Sequence, residues 1–437
     1  MVARWSRRLA RATSPLLVAA TALPARGFVP QEDSTDVRAI SAPGETISAV
    51  LLTMEPGDAL WERFGHNAIV IRDEATGFEA AYNYGIFDFS DADIYRRFMM
   101  GTMMYRVQPQ SVSSMLSFYR WQNRRVWAQE LALDPEDRVR LAALLADAAL
   151  PENRRYRYQY YLNNCSTKLR DAIDEVLDGA LRGATDGPPT GATWREHTRR
   201  LTSTHPLGYL GIDLVLGPKG DELTNRWDEM WVPMKLRATI GETFLTRSDG
   251  SEVPLVLSEE LWVDSDRPPE PEAAPVWMQF FLLAGSAGGL VVVLLGRACA
   301  AGSTLARIAL SGVAVLWGTL CTVVGLVLIA IHWTDHEFMY WNRNALLFNP
   351  LAAAVAVAVA RSAWRGRASR WGQGVAYAAL GASVLAVFLC LLAERTGSWD
   401  MIALVLPMHA ALWWVARGRS ATSGPRAIPR ETAHVAP

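Results

Sequence analysis

The chain has 437 residues, 50% of them hydrophobic, and its formal net charge is −1. This length exceeds one ordinary domain, and the near-neutral charge balance argues against a nucleic-acid partner. The segment after residue 275 is dominated by apolar runs long enough to span a bilayer, whereas the part before it has the mixed composition of a globular domain.

The N-terminus combines four arginines with a short apolar stretch, Pro15 to Leu23, and then small residues. This order is typical of the basic, apolar and cleavage regions of a secretory signal, and the apolar part is too short to span a bilayer comfortably. We therefore expect residues 1–27 to be a signal peptide, with an uncleaved N-terminal anchor as the alternative.

Residues 66–84 are predicted to form a β-hairpin, because the β-rich runs HNAIVIRD and FEAAYNYG are separated by the turn-prone EATG. A turn centred on Ala75–Thr76 sets the register. Three residue pairs are then expected to lie opposite each other: Arg72 with Glu79, Val70 with Ala81, and Ala68 with Asn83. Unlike charges face each other in the first pair, which supports this register.

The same register gives His66 a polar neighbour. His66 and Asn83 share one face of the hairpin and occupy diagonally adjacent positions, whereas Tyr82 and Tyr84 belong to the other face. Asn83 could therefore hold one ring nitrogen of His66 while the other nitrogen faces a thiolate.

Cys165 opens a predicted amphipathic helix. Apolar residues recur on one face from Leu169 to Leu177, and Asn163 and Asn164 are the two candidates for the N-cap. The thiol would lie in the first turn, where the helix dipole and free backbone N–H groups stabilise a thiolate. The same N–H groups, including that of Ser166, are candidates for binding an oxyanion, together with the Asn164 side chain.

Cys165 is alone among the cysteines in lying outside the predicted membrane region. The other three fall in or beside long apolar segments: Cys299, Cys321 and Cys390. A disulfide within the exported domain is therefore excluded, which leaves a buried structural thiol or a nucleophile. A nucleophile needs a base, and we favour His66 over His197 and His205, whose polar surroundings predict exposure to solvent. No ligand cluster with zinc spacing occurs in this domain, so no metal is expected.

A proline-rich acidic linker precedes five predicted membrane helices. Their expected ranges are 276–296, 304–331, 345–361, 373–393 and 400–416. The third has a short apolar run that contains Pro350.

The arginines orient these helices. If residues 28–275 are extracytoplasmic, most arginines of the membrane region fall on the opposite side: Arg297, Arg361, Arg365, Arg367, Arg370, Arg417, Arg419, Arg426 and Arg430. The outer loops carry only Arg343 and Arg395, and each of them has acidic residues nearby in the sequence. This is the positive-inside pattern, and it predicts an extracytoplasmic N-terminal domain.

Three stretches, FGHNAIVIRD, YNYGIFDF and YLNNCSTKLRDAID, resemble the N-terminal periplasmic domain of the bacterial lipoprotein N-acyltransferase Lnb family. That domain is similar to the permuted papain-like group, which includes NlpC/P60 and lecithin:retinol acyltransferase enzymes. In that group a histidine on a strand precedes a cysteine that opens a helix, and His66 and Cys165 occur in this order. The similarity covers about residues 45–240 and extends more loosely into the membrane part.

The resemblance implies cysteine acyl chemistry. An acyl chain from a phospholipid would move to Cys165 as a thioester, and then to the α-amine of a lipoprotein, with no cofactor. Asn83 as the third catalytic residue depends on the hairpin register. The aromatic residues Tyr82 and Tyr84, with the later FMMGTMMYRV, could line an acyl groove or belong to the core.

The loop HWTDHEFMYWNRN, residues 332–344, is expected at the outer surface on the same side as Cys165. Its tryptophans suit an interfacial aromatic belt. A second interpretation is that His336, Asn342 and Asn344 hold a lipid head group or the acceptor amine near the thioester.

The predicted fold class is an α+β, permuted papain-like (NlpC/P60-like) extracytoplasmic domain followed by an all-α membrane domain. The predicted segments are 1–27 (signal or anchor), 28–261 (catalytic domain), 262–275 (linker), 276–416 (membrane helices) and 417–437 (cytoplasmic tail). We expect an acyltransferase in the bacterial inner membrane. The alternatives are a cysteine hydrolase, either a phospholipase or a cell-wall amidase or peptidase, and a non-enzymatic membrane-anchored binding module.

Overall fold

The computed structural model describes residues 44–87, 93–246 and 250–417. The predicted signal or anchor and residues 418–437 of the predicted tail lie outside these ranges. Within them, a part built on a β-sheet precedes a helical part that begins at Met278.

The described residues contain nine strands. They are β1 (Ile47–Met54), β2 (His66–Asp73), β3 (Phe78–Ile86), β4 (Met104–Gln110), β5 (Val126–Leu131), β6 (Arg155–Arg157), β7 (Phe244–Thr246), β8 (Glu252–Pro254) and β9 (Val256–Val263). Seven form one antiparallel sheet in the order β6-β4-β3-β2-β1-β5-β9, and β7 pairs with β8.

Nine helices belong to the described sheet-containing part. They are α1 (Ile94–Met100), α2 (Val112–Trp121), α3 (Pro135–Ala149), α4 (Cys165–Val176), α5 (Ala180–Thr185), α6 (Trp194–Thr202), α7 (Pro206–Val215), α8 (Arg226–Glu229) and α9 (Pro233–Glu242). Six follow in the described C-terminal part: α10 (Met278–Ala300), α11 (Thr304–Ala330), α12 (Asn344–Leu347), α13 (Leu351–Arg365), α14 (Arg370–Leu391) and α15 (Trp399–Ala416).

The centre of the large sheet is buried on both faces, which explains the nearly continuous apolar runs of β1 and β2. Ile69 and Ile71 join a core with the apolar face of α4, including Leu169. Val70 on the other face joins a second core with Met115 of α2. The predicted helix after Cys165 therefore packs against the predicted hairpin.

Two of the three predicted hairpin pairs are present: Arg72 with Glu79 and Val70 with Ala81. The third prediction, Ala68 with Asn83, is wrong, since the β2–β3 ladder ends at Ile69 and Tyr82. Asn83 pairs on its other side with Gln108 of β4, immediately before a register shift. Such a shift bends a strand and re-aims its side chains, so the end of β3 departs from the regular ladder.

Five helices of the described residues are long and apolar enough to cross a membrane, which confirms the predicted number. Pro350 is the N-cap of α13, and α12 precedes it, so the third predicted span is interrupted at the proline. A proline removes one backbone donor and favours a helix start.

The sheet-containing part rests against the loops at one end of these helices. Arg199 of α6 donates to the carbonyl of Gly397, which lies between α14 and α15. Asn342 and Asn344, between α11 and α13, both donate to the carbonyl of Leu214 at 2.9 Å. These are the two loops that the arginine pattern assigns to the same side as the N-terminal domain.

Candidate active site

Cys165 is the first residue of α4, and its position is fixed by the residue before it. The Asn164 side-chain oxygen accepts from the backbone N–H groups of Ser166 and Thr167, both at 2.9 Å. The Thr167 hydroxyl in turn accepts from the Asn164 N–H at 2.8 Å. This reciprocal cap holds the partly exposed thiol at the helix start.

The cap changes the predicted oxyanion site. The Asn164 amide nitrogen donates to the carbonyls of Tyr160 and Trp231, at 3.0 and 2.9 Å, so this side chain has no free donor for a substrate. The Ser166 N–H is engaged by Asn164, and its hydroxyl donates to Asn67 at 2.7 Å. Within the described part of the chain, the Cys165 N–H is the helix-start donor next to the thiol that no hydrogen bond occupies.

His66 begins β2 and is oriented by Asn83, as the sequence predicted, even though the two residues are not paired in the ladder. The His66 Nε2 atom lies 3.2 Å from the Asn83 Oδ1 atom. The Asn83 amide nitrogen donates to the Ala81 carbonyl and to the Gln110 Oε1 atom, both at 3.2 Å. The Asn83 oxygen is therefore the acceptor, Nε2 carries the proton, and Nδ1 of His66 is left as the basic nitrogen.

The surroundings of Cys165 favour its thiolate. Burial alone would raise the pKa of the Cys165 thiol, but the positive charge of His66 and a hydrogen bond from its ring lower it. A hydrogen bond from the Asn67 backbone N–H lowers it further, so the net effect is a lowered pKa. A lowered pKa increases the fraction of thiolate, which is the reactive form of a cysteine side chain.

Asn67 connects the two halves of the site. Its buried side chain accepts from the Ser166 hydroxyl of α4 and donates to the Thr53 hydroxyl of β1 at 2.8 Å. These bonds fix the strand that carries His66 relative to the helix that carries Cys165.

Glycine and aromatic residues shape the space beside the thiol. Gly85 has a φ of +90°, and a Cβ atom there would lie 3.6 Å from the Cβ of Cys165. Tyr105 stacks on Tyr158 with ring centroids 4.1 Å apart, and Phe87 stacks on Tyr105 at 5.2 Å. All three residues are partly exposed, so they form a half-open aromatic wall. Its Tyr105 is paired with Tyr156, whose hydroxyl would lie 4.0 Å from a Cβ at Gly85.

The structure does not support a lipid-contacting role for Tyr82 and Tyr84. Both are buried in the core between the sheet and α4, with exposed fractions of 0% and 5%. Successive side chains of a strand point to opposite faces of the sheet, so Tyr82 and Tyr84 point into this core and Asn83, which lies between them, does not.

Three predicted residues of the 332–344 loop serve instead to attach the loop to the sheet-containing part. The amides of Asn342 and Asn344 are committed to the Leu214 carbonyl. His336 is buried, and its Nε2 atom lies 2.9 Å from the Phe98 carbonyl oxygen. The interpretation that they hold a head group or an amine loses support, because these donors already have protein partners.

The prediction that His197 faces solvent is wrong. His197 lies in α6 and is 3% exposed, and its Nε2 atom lies 3.1 Å from the Glu229 carboxylate. His205 caps α7 by accepting from the Gly208 N–H at 3.1 Å. Both stretches are helices rather than polar loops, and the Thr193 cap with Glu196 was the available signal for the first.

Sequence reasoning missed Gln110, Asn67 and Thr53, which support Asn83 and Cys165. They lie in strands whose apolar pattern conceals single polar residues, and no local signal identifies their partners. Among the described residues, no group of three or more His, Cys, Asp or Glu side chains is arranged to hold a metal ion.

The fold and the site define a membrane protein with five candidate spans and a sheet-containing domain that pairs a cysteine with a histidine. Residues 38–200 match the family model of the Lnb N-terminal periplasmic domain. The predicted resemblance is therefore confirmed, and the protein carries an Lnb-type periplasmic domain that includes His66, Asn83 and Cys165. Neither the curated proteins nor the solved structures gave a significant match to the chain.

Proposed function

We propose that this protein is a membrane-bound cysteine acyltransferase of the bacterial inner membrane, with a permuted papain-like catalytic domain. It would move an acyl chain from a phospholipid, through a thioester on Cys165, to the α-amine of a lipoprotein N-terminal cysteine. The observation that carries the proposal is the Cys165–His66–Asn83 arrangement in a domain held against the ends of membrane helices.

In the first half-reaction, the Cys165 sulfur attacks the ester carbonyl carbon of the phospholipid. The thiol proton passes to Nδ1 of His66, a C–S bond forms, and the ester C–O bond breaks. His66 then protonates the leaving oxygen, which departs with the lysophospholipid. The Cys165 backbone N–H would stabilise the negative charge on the carbonyl oxygen.

In the second half-reaction, the acceptor amine attacks the thioester carbon. His66 takes a proton from the nitrogen, the C–S bond breaks, and the proton returns to the sulfur. The products are an amide on the acceptor and the original Cys165–His66 pair, so no oxidant or cofactor is needed.

The position of the domain supports lipid substrates. Asn342, Asn344 and Gly397 of the membrane-helix loops hydrogen-bond to the sheet-containing part. Both a phospholipid and a lipid-anchored acceptor would be concentrated at this surface, which raises their effective concentration at the site.

Intact-mass spectrometry of the full-length protein in phospholipid nanodiscs tests the proposal. We expect an added mass of one fatty acyl chain that hydroxylamine removes and that a diacyl lipopeptide discharges with formation of an N-acyl product. The adduct should be absent after Cys165→Ala and present after Cys299→Ala, which removes a partly buried cysteine at the far end of α10.

Two other outcomes would favour the alternatives. Discharge of the thioester by water, with release of free fatty acid and no acylated lipopeptide, would indicate a hydrolase. No adduct on a wild-type protein whose Cys165 also resists thiol reagents would indicate a binding module.

A further inference from the structure

Helix α1 exposes a row of large apolar side chains. Tyr95, Phe98 and Met99 lie at helical spacing i, i+3 and i+4, and are 70%, 61% and 72% exposed. We call these three residues the α1 stripe. Met100 and Met104, which follow it, are exposed as well. An apolar row of this kind on a globular domain marks a surface that another apolar phase covers.

Helix α1, which carries the α1 stripe, contacts the residues that follow the membrane helix α11. Helix α11 ends at Ala330, and the next residues contact α1: the Asp335 N–H donates to the Met100 carbonyl at 2.8 Å. His336 bonds to the Phe98 carbonyl, and a Cβ at Gly101 would clash with the Asp335 backbone at 2.8 Å. The helix is thus held within a few residues of the point where α11 leaves the bilayer.

The loop that follows α11 carries tryptophans, which are the side chains expected at the interface between a bilayer and water. Trp333 and Trp341 are 74% and 79% exposed. Exposed tryptophans next to the end of a membrane helix are typical of the bilayer interface, where an indole has one apolar and one wet edge.

The charges of α1 also fit a phospholipid surface. Arg96 has a side chain that is 67% exposed and pairs with Asp93 at the solvent edge of the helix. An apolar stripe bordered by arginine is the pattern of helices that lie in the interfacial plane and contact lipid phosphates.

A short chain of contacts leads from α1 to the thiol. The Tyr158 N–H donates to the Met103 carbonyl at 2.9 Å, just beyond the end of α1. Tyr105, on which Tyr158 stacks, is paired with Tyr156 between β4 and β6. A Cβ at Gly85 would lie 4.0 Å from the Tyr156 hydroxyl and 3.6 Å from the Cβ of Cys165. The half-open wall of Phe87, Tyr105 and Tyr158 is therefore connected at one side to the end of α1 and at the other, through Tyr156, to the surroundings of Cys165.

We propose that the α1 stripe is inserted in the outer leaflet of the same bilayer that the five helices span, and that it guides a phospholipid acyl chain along the Phe87–Tyr105–Tyr158 wall to Cys165. The first half of this proposal is independent of the chemistry, whereas the second half rests on the proposed acyltransferase function. The bilayer is the favoured occupant of the stripe because the stripe is fixed to the end of α11.

The membrane contact is tested by depth measurement. A fluorophore is attached after Met99→Cys in the full-length Cys165→Ala, Cys299→Ala protein in nanodiscs, and is quenched with doxyl-labelled lipid or with aqueous iodide. Leu257→Cys is the matched control, because Leu257 is also exposed but lies on β9, at the opposite edge of the sheet from β4 and β6.

We expect doxyl lipid to quench the label at residue 99 and not the label at residue 257, with iodide giving the reverse. Equal access of iodide to both labels would overturn the membrane contact. Shielding of residue 99 from both quenchers would also overturn it, because a protein surface would then cover the stripe.

The guiding role is tested by reaction rates. Phe98→Ser with Met99→Ser should slow formation of the Cys165 adduct from bilayer phospholipid about tenfold or more relative to a water-soluble short-chain ester, because burial of two large side chains is lost. Leu257→Ser should leave this ratio unchanged. An unchanged ratio in the double variant would overturn the guiding role.

Failure of the acyltransferase proposal can be distinguished from failure of the membrane contact. If the wild-type protein forms no adduct with either ester, the acyltransferase proposal and the guiding role both fail, and the quenching result still decides the membrane contact.

Discussion

The pKa of the Cys165 thiol depends on residues of strand β2 as much as on the helix that Cys165 begins. The sequence suggested that the start of α4 would stabilise the thiolate, but the Asn164 cap occupies two of the N–H groups there. The groups that lower the pKa of Cys165 against its burial are His66 and the Asn67 N–H, both from the start of β2. The lowered pKa of the Cys165 thiol therefore comes from a tertiary contact.

Removing His66 should raise the pKa of Cys165. Without the imidazolium charge and hydrogen bond, burial is no longer offset, so the thiol stays protonated to higher pH. We expect the midpoint of the iodoacetamide reaction rate to move to higher pH in His66→Ala than in the wild type. The control is His205→Ala, which removes a helix-cap histidine of the same domain. A midpoint that stays in place would show that His66 does not act on the thiol.

Asn83 should act through His66. Asn83→Ala removes the acceptor that fixes the Nε2 proton, so Nδ1 is no longer held as the base, and acyl-adduct formation should slow about tenfold to a hundredfold. Gln110→Ala, which removes the next residue in the network, should have a smaller effect. The measurement is the pH dependence of the adduct rate by mass spectrometry. A loss that Asn83→Gln does not relieve at all, with an unaltered pH profile, would indicate a structural role.

At the scale of elements, β3 illustrates how a local irregularity produces the site. A regular ladder would pair Ala68 with Asn83, as the hairpin pattern predicted. The β2–β3 ladder ends one pair earlier, at Ile69 and Tyr82, and a register shift in the β3–β4 ladder follows Asn83. At Gly85, where φ is positive, β3 lies close to Cys165. The His66–Asn83 bond forms just beyond the end of the β2–β3 ladder. His66 is still paired with Met54 of β1 there, and Asn83 is paired with Gln108 of β4.

Helices α6, α8 and α9 meet at a buried carboxylate. Glu229 accepts from Thr190 at 2.5 Å and lies 2.8 Å from the Lys235 ammonium and 3.1 Å from His197. Burial alone would raise the pKa of Glu229, but these hydrogen bonds and the charge of His197 lower it to about 2. Since the folded pKa is below the ordinary value, the carboxylate stabilises the fold above that value and loses this effect as the pH falls toward 2.

Glu229→Gln should therefore lower the Tm of the full-length protein at pH 7, and the difference from the wild type should narrow as the pH falls from about 4.5 to 2. The Tm of the variant and that of the wild type are measured at each pH by differential scanning fluorimetry in detergent. Glu252→Gln, in an exposed part of β8, is the matched control and should have little effect. A Tm difference that is independent of pH would contradict the assignment of the effect to ionisation.

At the scale of the whole molecule, a residue from the membrane-helix loops anchors the sheet-containing part. Phe338 lies between α11 and α12 and is 0% exposed. Its ring centroid is 4.5 Å from that of Tyr161 and 5.4 Å from that of Trp194. Its carbonyl accepts from the Gly217 N–H at 2.7 Å. The two parts of the protein therefore share one aromatic core.

Phe338→Ala should destabilise this junction by about 3–5 kcal/mol, because it leaves a cavity among large aromatic rings. We expect faster cleavage of the 262–275 linker region by a protease and a lower Tm in detergent. Trp341→Ala, which removes an exposed aromatic residue of the same loop, provides the comparison. Equal effects of both substitutions would contradict an anchoring role for Phe338.

A buried ion network forms a second junction. Arg195 and Arg199 of α6 both bind Asp213 of α7, and Arg199 also approaches Asp400 at the start of α15. The sequence does not reveal this network, because Asp400 is about 200 residues from Arg199 and each member resembles an ordinary surface charge.

Much of the local structure was predictable. The five apolar segments are long enough to be recognised by length alone, and their arginine distribution orients them. The helix from Cys165 and the hairpin from His66 follow from periodicity of 3.6 and 2 residues, and Asn164 was one of two predicted caps. The predicted domain boundaries, the papain-like topology and the catalytic roles stay predictions.

The sequence by itself determined the hairpin that begins at His66, the helix that begins at Cys165 and the five candidate membrane spans, because each depends on neighbours a few residues away. It also determined that Cys165 is chemically isolated from the other cysteines. Tertiary structure decided which donors remain free at the thiol, that Tyr82 and His197 are buried, and that His336, Asn342 and Asn344 bind backbone carbonyls. These outcomes depend on contacts between residues up to hundreds of positions apart, which local pattern and propensity do not encode.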